Sequence, residues 1–283
     1  MLKENKLGIM QGRLSPAKNN LIQHFPVKNW SNEFSLCSKL GLKCIEWIFE
    51  LKNYNENPLY SNNAFENLEF YKKKYKIDIN SVVADYFMEK KLFDENDIEI
   101  QNNLLVLKKL IKNCSNNNIN IVEIPLVDKS SLKDDKNLKN FKNNLLPILH
   151  YADSLNIKIS LETDLSPKKF FEFIKSFSPN NIYVNYDMGN SASLGYDPKE
   201  EIDILSKYIV NVHIKDRKLA GDTVPLGKGS VDFNSVFQNL KKINYKGDLI
   251  LQAAREDLEN SENKKKYVDT IKDYKKFILG YIK

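Results

Sequence analysis

The chain has 283 residues, of which 42% are apolar and 28% are charged, and its formal net charge is +6. This balance excludes a disordered chain and suits a globular protein with a sizeable core. Lysines are interspersed with acidic residues, and the longest basic cluster, Lys72 to Lys74, lies in a polar helical pattern. We therefore interpret the charge as a solvated surface and predict no nucleic-acid partner.

Cysteine usage and the amino terminus predict where the protein works. Three cysteines without metal-type or CxxC spacing indicate buried thiols in a reducing compartment. The first residues lead into a strand without the apolar segment of a signal peptide, and no apolar run reaches membrane-spanning length. These features predict a cytoplasmic protein that does not bind a membrane.

Short apolar runs rich in β-branched and aromatic residues recur along the chain and predict eight strands. The runs start near Leu7, Cys44, Ile79, Ile121, Ile157, Ile182, Ile209 and Asp248. Amphipathic helical patterns follow them over residues 32–40, 64–75, 98–113, 138–155, 167–177, 198–207 and 233–241, and over about 261–279. Strand–helix units in this number predict an α/β fold, a (β/α)8 TIM barrel, forming a single domain over residues 1–283.

A doubly wound sheet is the structural alternative, but such a sheet usually carries a glycine-rich first turn. Gly8 and Gly12 flank the first strand without a GxGxxG motif, so the barrel is favoured. The longest irregular segment, residues 217–230, follows the seventh strand. Two interpretations of it stay open: a lid over the site, or a surface loop whose Asp232 caps the next helix.

Three consecutive predicted strands end on a side chain that can bind a metal ion. They end at Glu162, Asp187 and His213, and the eighth strand ends at the amide of Gln252. Because the carboxyl ends of the strands meet at one face of a barrel, we expect these side chains to lie together. Two carboxylates, an imidazole and an amide oxygen suit one divalent ion of Mn, Mg, Co or Zn, without selecting among them.

Other polar residues near the strand ends are candidate substrate-binding residues. They are Gln11, Arg13, Glu46, Asp85, Glu123, Asn190, Lys215, Arg217 and Arg255. For Glu46 and Glu123, which have apolar neighbours within their strands, a structural hydrogen-bonding role is an equal alternative. Buried carboxylates cost several kcal/mol unless they are paired or bound to metal, so a near-complete ring of them favours a functional site.

Six segments give the chain a resemblance to a known family. They are residues 8–16 (GIMQGRLSP), 45–49 (IEWIF), 161–162 (LE), 187–190 (DMGN), 213–217 (HIKDR) and 227–233 (GKGSVDF). In this order they resemble the xylose isomerase-like barrels, which include sugar phosphate isomerases and epimerases. The resemblance implies that Glu162, Asp187, His213 and Gln252 hold a divalent ion and that Arg217 contacts substrate. It also implies proton abstraction beside a ketose carbonyl through a metal-stabilised enediolate, with Glu162 as the base.

The chain departs from the family at Gln252, where the family's epimerases carry a second glutamate. An amide can bind a metal through its oxygen but cannot act as a base at neutral pH. Three alternatives follow: isomerisation with Glu162 as the only base, a second carboxylate supplied by Glu256 or Asp85, or binding of a sugar-like ligand without turnover. The lost negative charge also predicts weaker metal affinity.

The resemblance implies a sugar or sugar phosphate as the small-molecule partner. It leaves a homo-oligomer open, since relatives are often dimers or tetramers. Another relative of this fold is a metal-dependent endonuclease that acts on abasic DNA and is built from several histidines. This chain has three histidines, and only His213 lies at a strand end. We therefore favour the sugar enzyme over the endonuclease.

Overall fold

The computed structural model describes residues 2–17, 21, 23–61, 64–94, 96–179, 182–255 and 264–282. Eight parallel strands close a barrel: β1 (Leu7–Met10), β2 (Ile45–Ile48), β3 (Ser81–Val83), β4 (Ile121–Leu126), β5 (Lys158–Thr163), β6 (Tyr183–Asp187), β7 (Ile209–Ile214) and β10 (Asp248–Leu251). Two short strands between β7 and β10, β8 (Asp216–Arg217) and β9 (Thr223–Val224), form a separate antiparallel pair. β10 pairs with both β7 and β1, which completes the ring. The predicted (β/α)8 barrel is confirmed, and the doubly wound alternative is excluded.

Helices connect the barrel strands. They are α1 (Trp30–Lys39), α2 (Ala64–Tyr75), α3 (Tyr86–Glu89), α4 (Asp97–Asn116), α5 (Asp135–Ser154), α6 (Pro167–Lys175), α7 (Met188–Ser193), α8 (Pro198–Leu205), α9 (Phe233–Lys242) and α10 (Lys264–Ile282). Each predicted helical pattern coincides with a helix, although residues 261–263 of the last pattern lie outside the described residues. The pattern did not predict α3 or α7, because such short helices do not show an amphipathic period. None of the described helices has the length and apolar character that crossing a membrane requires.

The local sequence explains where two helices begin. Asp197 accepts a hydrogen bond from the backbone N–H of Glu200 at 2.8 Å, and Pro198 occupies the first turn of α8. Asp232 caps α9 in the same way, through the N–H of Ser235 at 2.9 Å. These caps satisfy backbone groups that the first turn leaves without a partner. One of the two interpretations of the segment after β7, a loop ending in a helix cap at Asp232, therefore matches the structure.

Side chains alternate across each strand, and this alternation places polar residues inside the barrel. Asn185 and Asp187 lie two residues apart on β6, and their register partners on β7 are Asn211 and His213. The Nδ2 of Asn211 donates to a carboxylate oxygen of Glu46, on β2 at the far side of the ring, at 2.7 Å. These side chains therefore point toward the barrel axis, where they meet below the carboxyl ends of the strands.

The segment after β7 is anchored by a single buried carboxylate. Asp216, at the start of β8, accepts the backbone N–H groups of Gly227 and Gly229 at 2.9 Å and of Val231 at 3.2 Å. A Cβ atom on Gly229 would collide with this carboxylate, so glycine is required there. Asp216 thus fixes the path by which the chain returns from β9 to α9.

Candidate metal centre and cavity

A cavity of about 350 Å³ lies at the carboxyl ends of the strands. Its wall contains eight of the predicted site residues: Arg13, Asp85, Glu123, Glu162, Asn190, Lys215, Arg217 and Gln252. Gln23, Val83, Met88, Pro125, Val127, Asp128, Asp222 and Thr223 complete the wall. The segment after β7 (residues 217–230) therefore contributes three residues to the wall, Arg217, Asp222 and Thr223, and it leads into the capped start of α9. A mixed polar cavity of this size suits a small hydroxylated ligand.

Three of the four predicted metal ligands converge beside this cavity. His213 has no exposed surface, and its Nδ1 lies 3.3 Å from Glu162 Oε2 and 4.0 Å from Asp187 Oδ2. One ligand atom from each of the three residues lies within 4.8 Å of the others. The carbonyl oxygen of Gln252 is buried and has no hydrogen-bond partner among the described residues. The three ligand atoms of Glu162, Asp187 and His213 fit one divalent cation. Gln252 as a fourth ligand stays a prediction.

Glu46 sets the orientation of His213 through the ring nitrogen that does not face Glu162. The two side chains have no exposed surface, and Glu46 Oε2 lies 2.6 Å from His213 Nε2. The other oxygen of Glu46 accepts hydrogen bonds from Ser81 Oγ at 2.6 Å and Asn211 Nδ2 at 2.7 Å. With its proton on Nε2, the ring donates to Glu46, and its Nδ1 accepts from Asn185 Nδ2 at 3.0 Å on the side of the ring that faces Glu162. This is the arrangement that orients histidine ligands in many metal sites.

The charges around His213 favour its protonated form in the absence of a metal. Burial opposes that form, but the carboxylates of Glu46, Glu123 and Glu162 raise the pKa of His213 well above its ordinary value. Binding of a cation at Nδ1 must therefore release a proton. The affinity of the site for metal is expected to rise with pH for this reason.

Glu162 is held in its ionised form. Its Oε1 accepts a hydrogen bond from Asn190 Nδ2, and its Oε2 accepts one from Asn185 Nδ2 at 2.8 Å. Burial alone would raise the pKa of Glu162, but the hydrogen bond and charge of His213, together with the ammonium of Lys215, lower it to about 2. Glu162 is therefore a carboxylate at neutral pH, as a metal ligand or a base requires.

Asp187 links the metal cluster to the start of α7. One of its oxygens accepts the backbone N–H groups of Gly189 and Asn190, both at 2.8 Å, and so caps this helix. The other oxygen faces the cluster and accepts a hydrogen bond from Lys215 Nζ at 3.1 Å. Arg217 extends the same wall, since its Nη1 donates to Asn190 Oδ1 at 2.9 Å. The predicted DMGN and HIKDR segments therefore meet at one side of the cavity.

Glu123 is a buried carboxyl group beside the metal cluster. It has no exposed surface, and neither of its oxygens has a hydrogen-bond partner among the described residues. Burial raises its pKa well above the ordinary value, the carboxylates of Glu46 and Glu162 add to this, and the imidazole of His213 opposes it. Its Oε2 lies 3.3 Å from His213 Nε2, so Glu123 and Glu46 form a second acidic group around the buried imidazole.

A chain of three side chains crosses another part of the wall. Gln252 Nε2 donates to Gln23 Oε1 at 3.1 Å, and Gln23 Nε2 donates to Asp85 Oδ2 at 2.6 Å. This chain fixes the Gln252 amide with its nitrogen toward Gln23, and the amide oxygen has no hydrogen-bond partner among the described residues. Burial raises the pKa of Asp85 to about 7, although the hydrogen bond from Gln23 opposes the shift.

Gln11, Glu46 and Arg255 were predicted to bind substrate but do not line the cavity. Gln11 is buried, and its Oε1 accepts the backbone N–H of Ile48 at 3.0 Å. Arg255 donates to the carbonyl oxygens of Gly12 at 2.6 Å and Ser15 at 2.5 Å. Arg255 thus holds the loop after β1, which carries Arg13 in the wall. Direct contacts of these three residues with a substrate stay predictions.

The sequence missed three residues that organise the site. Asn185 and Asn211 could have been found, because each lies two residues before a predicted metal ligand on the same strand and so shares its face. Gln23 lies in the long loop between β1 and α1, where no periodicity predicts the direction of a side chain. Glu256, one of the two carboxylates considered as a second base, lies outside the described residues.

The fold agrees with what comparison with known proteins finds. The profile of the xylose isomerase-like TIM barrel family matches residues 34–276, and the chain belongs to this family. Among curated proteins, an uncharacterised protein of Methanocaldococcus jannaschii, MJ1311, is 25% identical over 48% of this chain and 51% of its own length. The L-ribulose-5-phosphate 3-epimerase UlaE of Salmonella paratyphi A is 25% identical over 60% of this chain and 62% of its own length. The chain thus spans only about half to three-fifths of these relatives.

Solved structures resemble the chain over nearly its whole length. A D-tagatose 3-epimerase-like protein is 19% identical with a TM-score of 0.72, covering 98% of this chain and 100% of its own. An IOLI protein with a bound zinc atom is 17% identical with a TM-score of 0.75, covering 98% of both chains. At these identities the likeness shows a shared fold. Relatives of the chain therefore include sugar epimerases, and one barrel of the same fold carries zinc.

Proposed function

We propose that this protein is a divalent-metal-dependent isomerase or epimerase that acts on a sugar or sugar phosphate. The observation that carries the proposal is the convergence of Glu162, Asp187 and His213 within 4.8 Å beside a cavity of about 350 Å³. The relationship to an L-ribulose-5-phosphate 3-epimerase supports the same class of reaction. The ion is Mn, Mg, Co or Zn, held by these three residues with Gln252 as the fourth ligand.

A divalent ion at this site would polarise a ketose carbonyl and stabilise the enediolate that forms when the neighbouring carbon loses its proton. The protein supplies the base, Glu162, which is ionised at neutral pH and lines the cavity. Asn185 and Asn190 fix its two oxygens, so little reorganisation is needed before proton transfer. Asp187 and His213 would hold the cation together with Glu162, and Glu46 fixes the orientation of the His213 ring through Nε2.

Three cations in the cavity wall provide the contacts to substrate. Arg217 and Lys215 stand beside the metal cluster, and Arg13 stands on the loop after β1. Their N–H groups suit hydroxyl oxygens of a sugar and also the oxygens of a phosphate. We keep both free sugars and sugar phosphates as substrate classes. Cytoplasmic location and assembly into a homo-oligomer also stay predictions.

One observation favours a second candidate, a barrel that binds a sugar-like ligand without turnover. Gln252 replaces the carboxylate that the family's epimerases use as their second base, and its nitrogen is engaged with Gln23. A binding protein needs the cavity and the cation but no proton transfer. It predicts that Glu162→Gln leaves ligand affinity nearly unchanged and that no product forms.

The experiment that separates the two candidates is product analysis with added Mn²⁺. The purified protein is incubated with D-fructose, D-tagatose and L-ribulose 5-phosphate, and the sugars are separated and identified by NMR. The enzyme proposal predicts a new isomer or epimer from at least one ketose, absent with Glu162→Gln. Binding of a ketose to the wild-type protein without any new sugar would support the binding protein instead. The abasic-DNA endonuclease has less support, because of the three histidines only His213 belongs to the cluster.

A further inference from the structure

The cavity wall carries charges of both signs, and the exposed ones are acidic. Among its described residues, three are cations and five are carboxyls: Arg13, Lys215 and Arg217, and Asp85, Glu123, Asp128, Glu162 and Asp222. Only Asp128 and Asp222 of these eight are exposed residues. Exposed residues of a cavity wall lie at its mouth, so the exposed charge at the mouth is negative. A ketose with its carbonyl at the metal cluster would extend its other end in this direction.

The guanidinium of Arg217 is largely occupied by the protein itself. Its Nε and Nη2 donate to the carbonyl oxygen of Gly221 at 3.1 and 2.9 Å, and its Nη1 donates to Asn190 Oδ1 at 2.9 Å. The Nε–Nη2 edge is one with which an arginine grips a phosphate through two parallel hydrogen bonds. In Arg217 this edge is filled by a backbone carbonyl. The protein thus uses three of the five N–H groups of this guanidinium.

The other two cations of the wall are engaged as well. Lys215 Nζ donates to Asp187 Oδ2 at 3.1 Å, so its charge offsets a carboxylate of the metal cluster. Arg13 is buried, and its Nε donates to the carbonyl oxygen of Ala253 at 3.1 Å. Both side chains have further N–H groups for the hydroxyls of a sugar. The positive charge of Lys215 is paired, however, and that of Arg13 is buried.

The backbone N–H groups after the seventh barrel strand are also occupied. Barrels of this kind frequently bind phosphate with the loops after the seventh and eighth strands and with a helix N-terminus. Here the glycine-rich segment 227–231 donates three N–H groups to the carboxylate of Asp216, at 2.9, 2.9 and 3.2 Å. The first turn of α9 is capped by the carboxylate of Asp232. Two side-chain carboxylates thus take the hydrogen bonds that a phosphate would otherwise receive there.

A second cavity of about 510 Å³ adjoins the first and shares Asp128 with it. Its two lysines, Lys52 and Lys129, are matched by two glutamates, Glu50 and Glu89. Lys129 Nζ lies 3.1 Å from Glu89 Oε1. A phosphate that extended from the first cavity into the second would therefore meet no surplus of positive charge.

We propose that the substrate is an unphosphorylated ketose and that the carboxylates at the mouth exclude its phosphate ester. The proposal rests on the proposed function and narrows its substrate class. A neutral sugar needs single hydrogen bonds to its hydroxyl groups, which the remaining N–H groups of the wall supply. A phosphate ester brings a charge of about −1.5 to −2 at neutral pH, and at the mouth it would face Asp128 and Asp222.

The test compares each ketose with its phosphate ester. The wild-type protein with Mn²⁺ is given D-fructose, D-tagatose or L-ribulose, or the terminal phosphate ester of the same sugar, and NMR measures formation of an isomer or epimer. Isothermal titration calorimetry measures binding of the same compounds. We expect kcat/KM and affinity to favour the free ketose at least about tenfold for each sugar that is converted or bound. Because the exclusion is electrostatic, this preference should shrink as ionic strength rises from about 0.01 M to about 0.1 M.

Reversing one charge at the mouth should weaken the exclusion. Asp222→Lys replaces an exposed carboxylate of the wall by an ammonium, and we expect it to lower the preference for the free ketose at least about fivefold. Asp153→Lys makes the same change in net charge on an exposed residue near the end of α5, outside the cavity wall. This control should leave the preference unchanged.

Two results would overturn the proposal while the proposed function stands. One is conversion of a phosphate ester at least as fast as that of its free ketose. The other is a preference that changes neither with ionic strength nor in Asp222→Lys, because the carboxylates at the mouth would then not select the substrate. Tighter binding of the free ketose without any product would overturn the proposed function and support the substrate class. Absence of both binding and conversion would overturn both.

Discussion

Replacing Gln252 by glutamate should tighten metal binding by about 10–100-fold. The introduced oxygen would take the place of Gln252 Oε1, which is buried and has no hydrogen-bond partner among the described residues. With Gln252 as the proposed fourth ligand, the substitution would add one negative charge beside the cation. An opposite unit charge at about 4 Å contributes about 4 kcal/mol at the effective dielectric of a partly buried site. Against this, the amide of Gln23 must turn to donate to the new carboxylate, and Asp85 loses its donor, which costs about 1–3 kcal/mol.

The balance of about 1–3 kcal/mol corresponds to the predicted range of affinity, because about 1.4 kcal/mol is tenfold. Titration of the metal-free protein with Mn²⁺ or Zn²⁺, in competition with a chromogenic chelator, measures the change. Gln238→Glu, an exposed substitution on α9, is the charge-matched control. Equal or weaker binding by Gln252→Glu would refute the assignment of Gln252 as a ligand. Retention of stoichiometric metal by the wild-type protein during dialysis against a mild chelator would refute the predicted weak affinity.

Two further substitutions test other parts of the structure. Glu46→Gln should lower metal affinity by about 10–100-fold, because His213 loses the carboxylate that fixes its tautomer, while the cavity wall stays intact; unchanged affinity in the same titration would contradict this. Glu201 is buried, one of its oxygens has no partner among the described residues, and burial raises its pKa to about 8. The protonated carboxyl is therefore favoured in the folded protein, so its contribution to the free energy of unfolding is present at low pH and is lost as pH rises from about 4 to about 8. Glu201→Gln should therefore raise the free energy of unfolding by about 2–4 kcal/mol at pH ~8.5 and change it little at pH ~4.5, measured by urea unfolding; an effect of equal size at both pH values would contradict the pKa assignment.

The barrel could be predicted from the sequence because its signal is repeated. Each strand is a short apolar run followed by a helical pattern, so one ambiguous unit does not change the count. The ends of the strands could be predicted for the same reason. Because parallel strand ends meet at one face of a barrel, the pattern also predicts that Glu162, Asp187 and His213 lie together. Side chains alternate between the two faces of a strand, so residues two positions apart share a face. By this rule Asn185 and Asn211 could also have been predicted to point into the barrel.

The directions of side chains in loops, and of long side chains inside the barrel, could not be predicted from the sequence. Gln23 organises Gln252 and Asp85, yet it lies in a loop without periodicity, where neighbouring residues give no indication of direction. Glu46 lies within β2, and its side chain reaches across the barrel to His213 rather than into the cavity, which matches the structural alternative left open for it. Arg255 shows the same limit, since its long side chain turns to backbone carbonyls of the loop after β1.

The pKa values of the carboxyls also depend on the folded structure. Glu162 and Asp85 are ordinary acids in the sequence, and folding removes both carboxyls from most of their contact with water. They differ because Glu162 is surrounded by His213, Lys215 and two amides, whereas Asp85 has a single hydrogen bond from Gln23. The sequence pattern predicts which carboxyl groups lie at the site. The pKa of each one depends on the side chains packed around it, which the pattern does not predict.

The central claim is that Glu162 removes a proton beside a carbonyl, and transfer of solvent deuterium tests it most directly. The wild-type protein and Glu162→Gln are incubated with Mn²⁺ and the same three ketoses in D₂O, and deuterium on the carbon next to the carbonyl is measured by mass spectrometry. We predict uptake by wild type into at least one ketose and a loss of at least about 100-fold in Glu162→Gln. Uptake at the same rate in both proteins, or in neither, would contradict the claim.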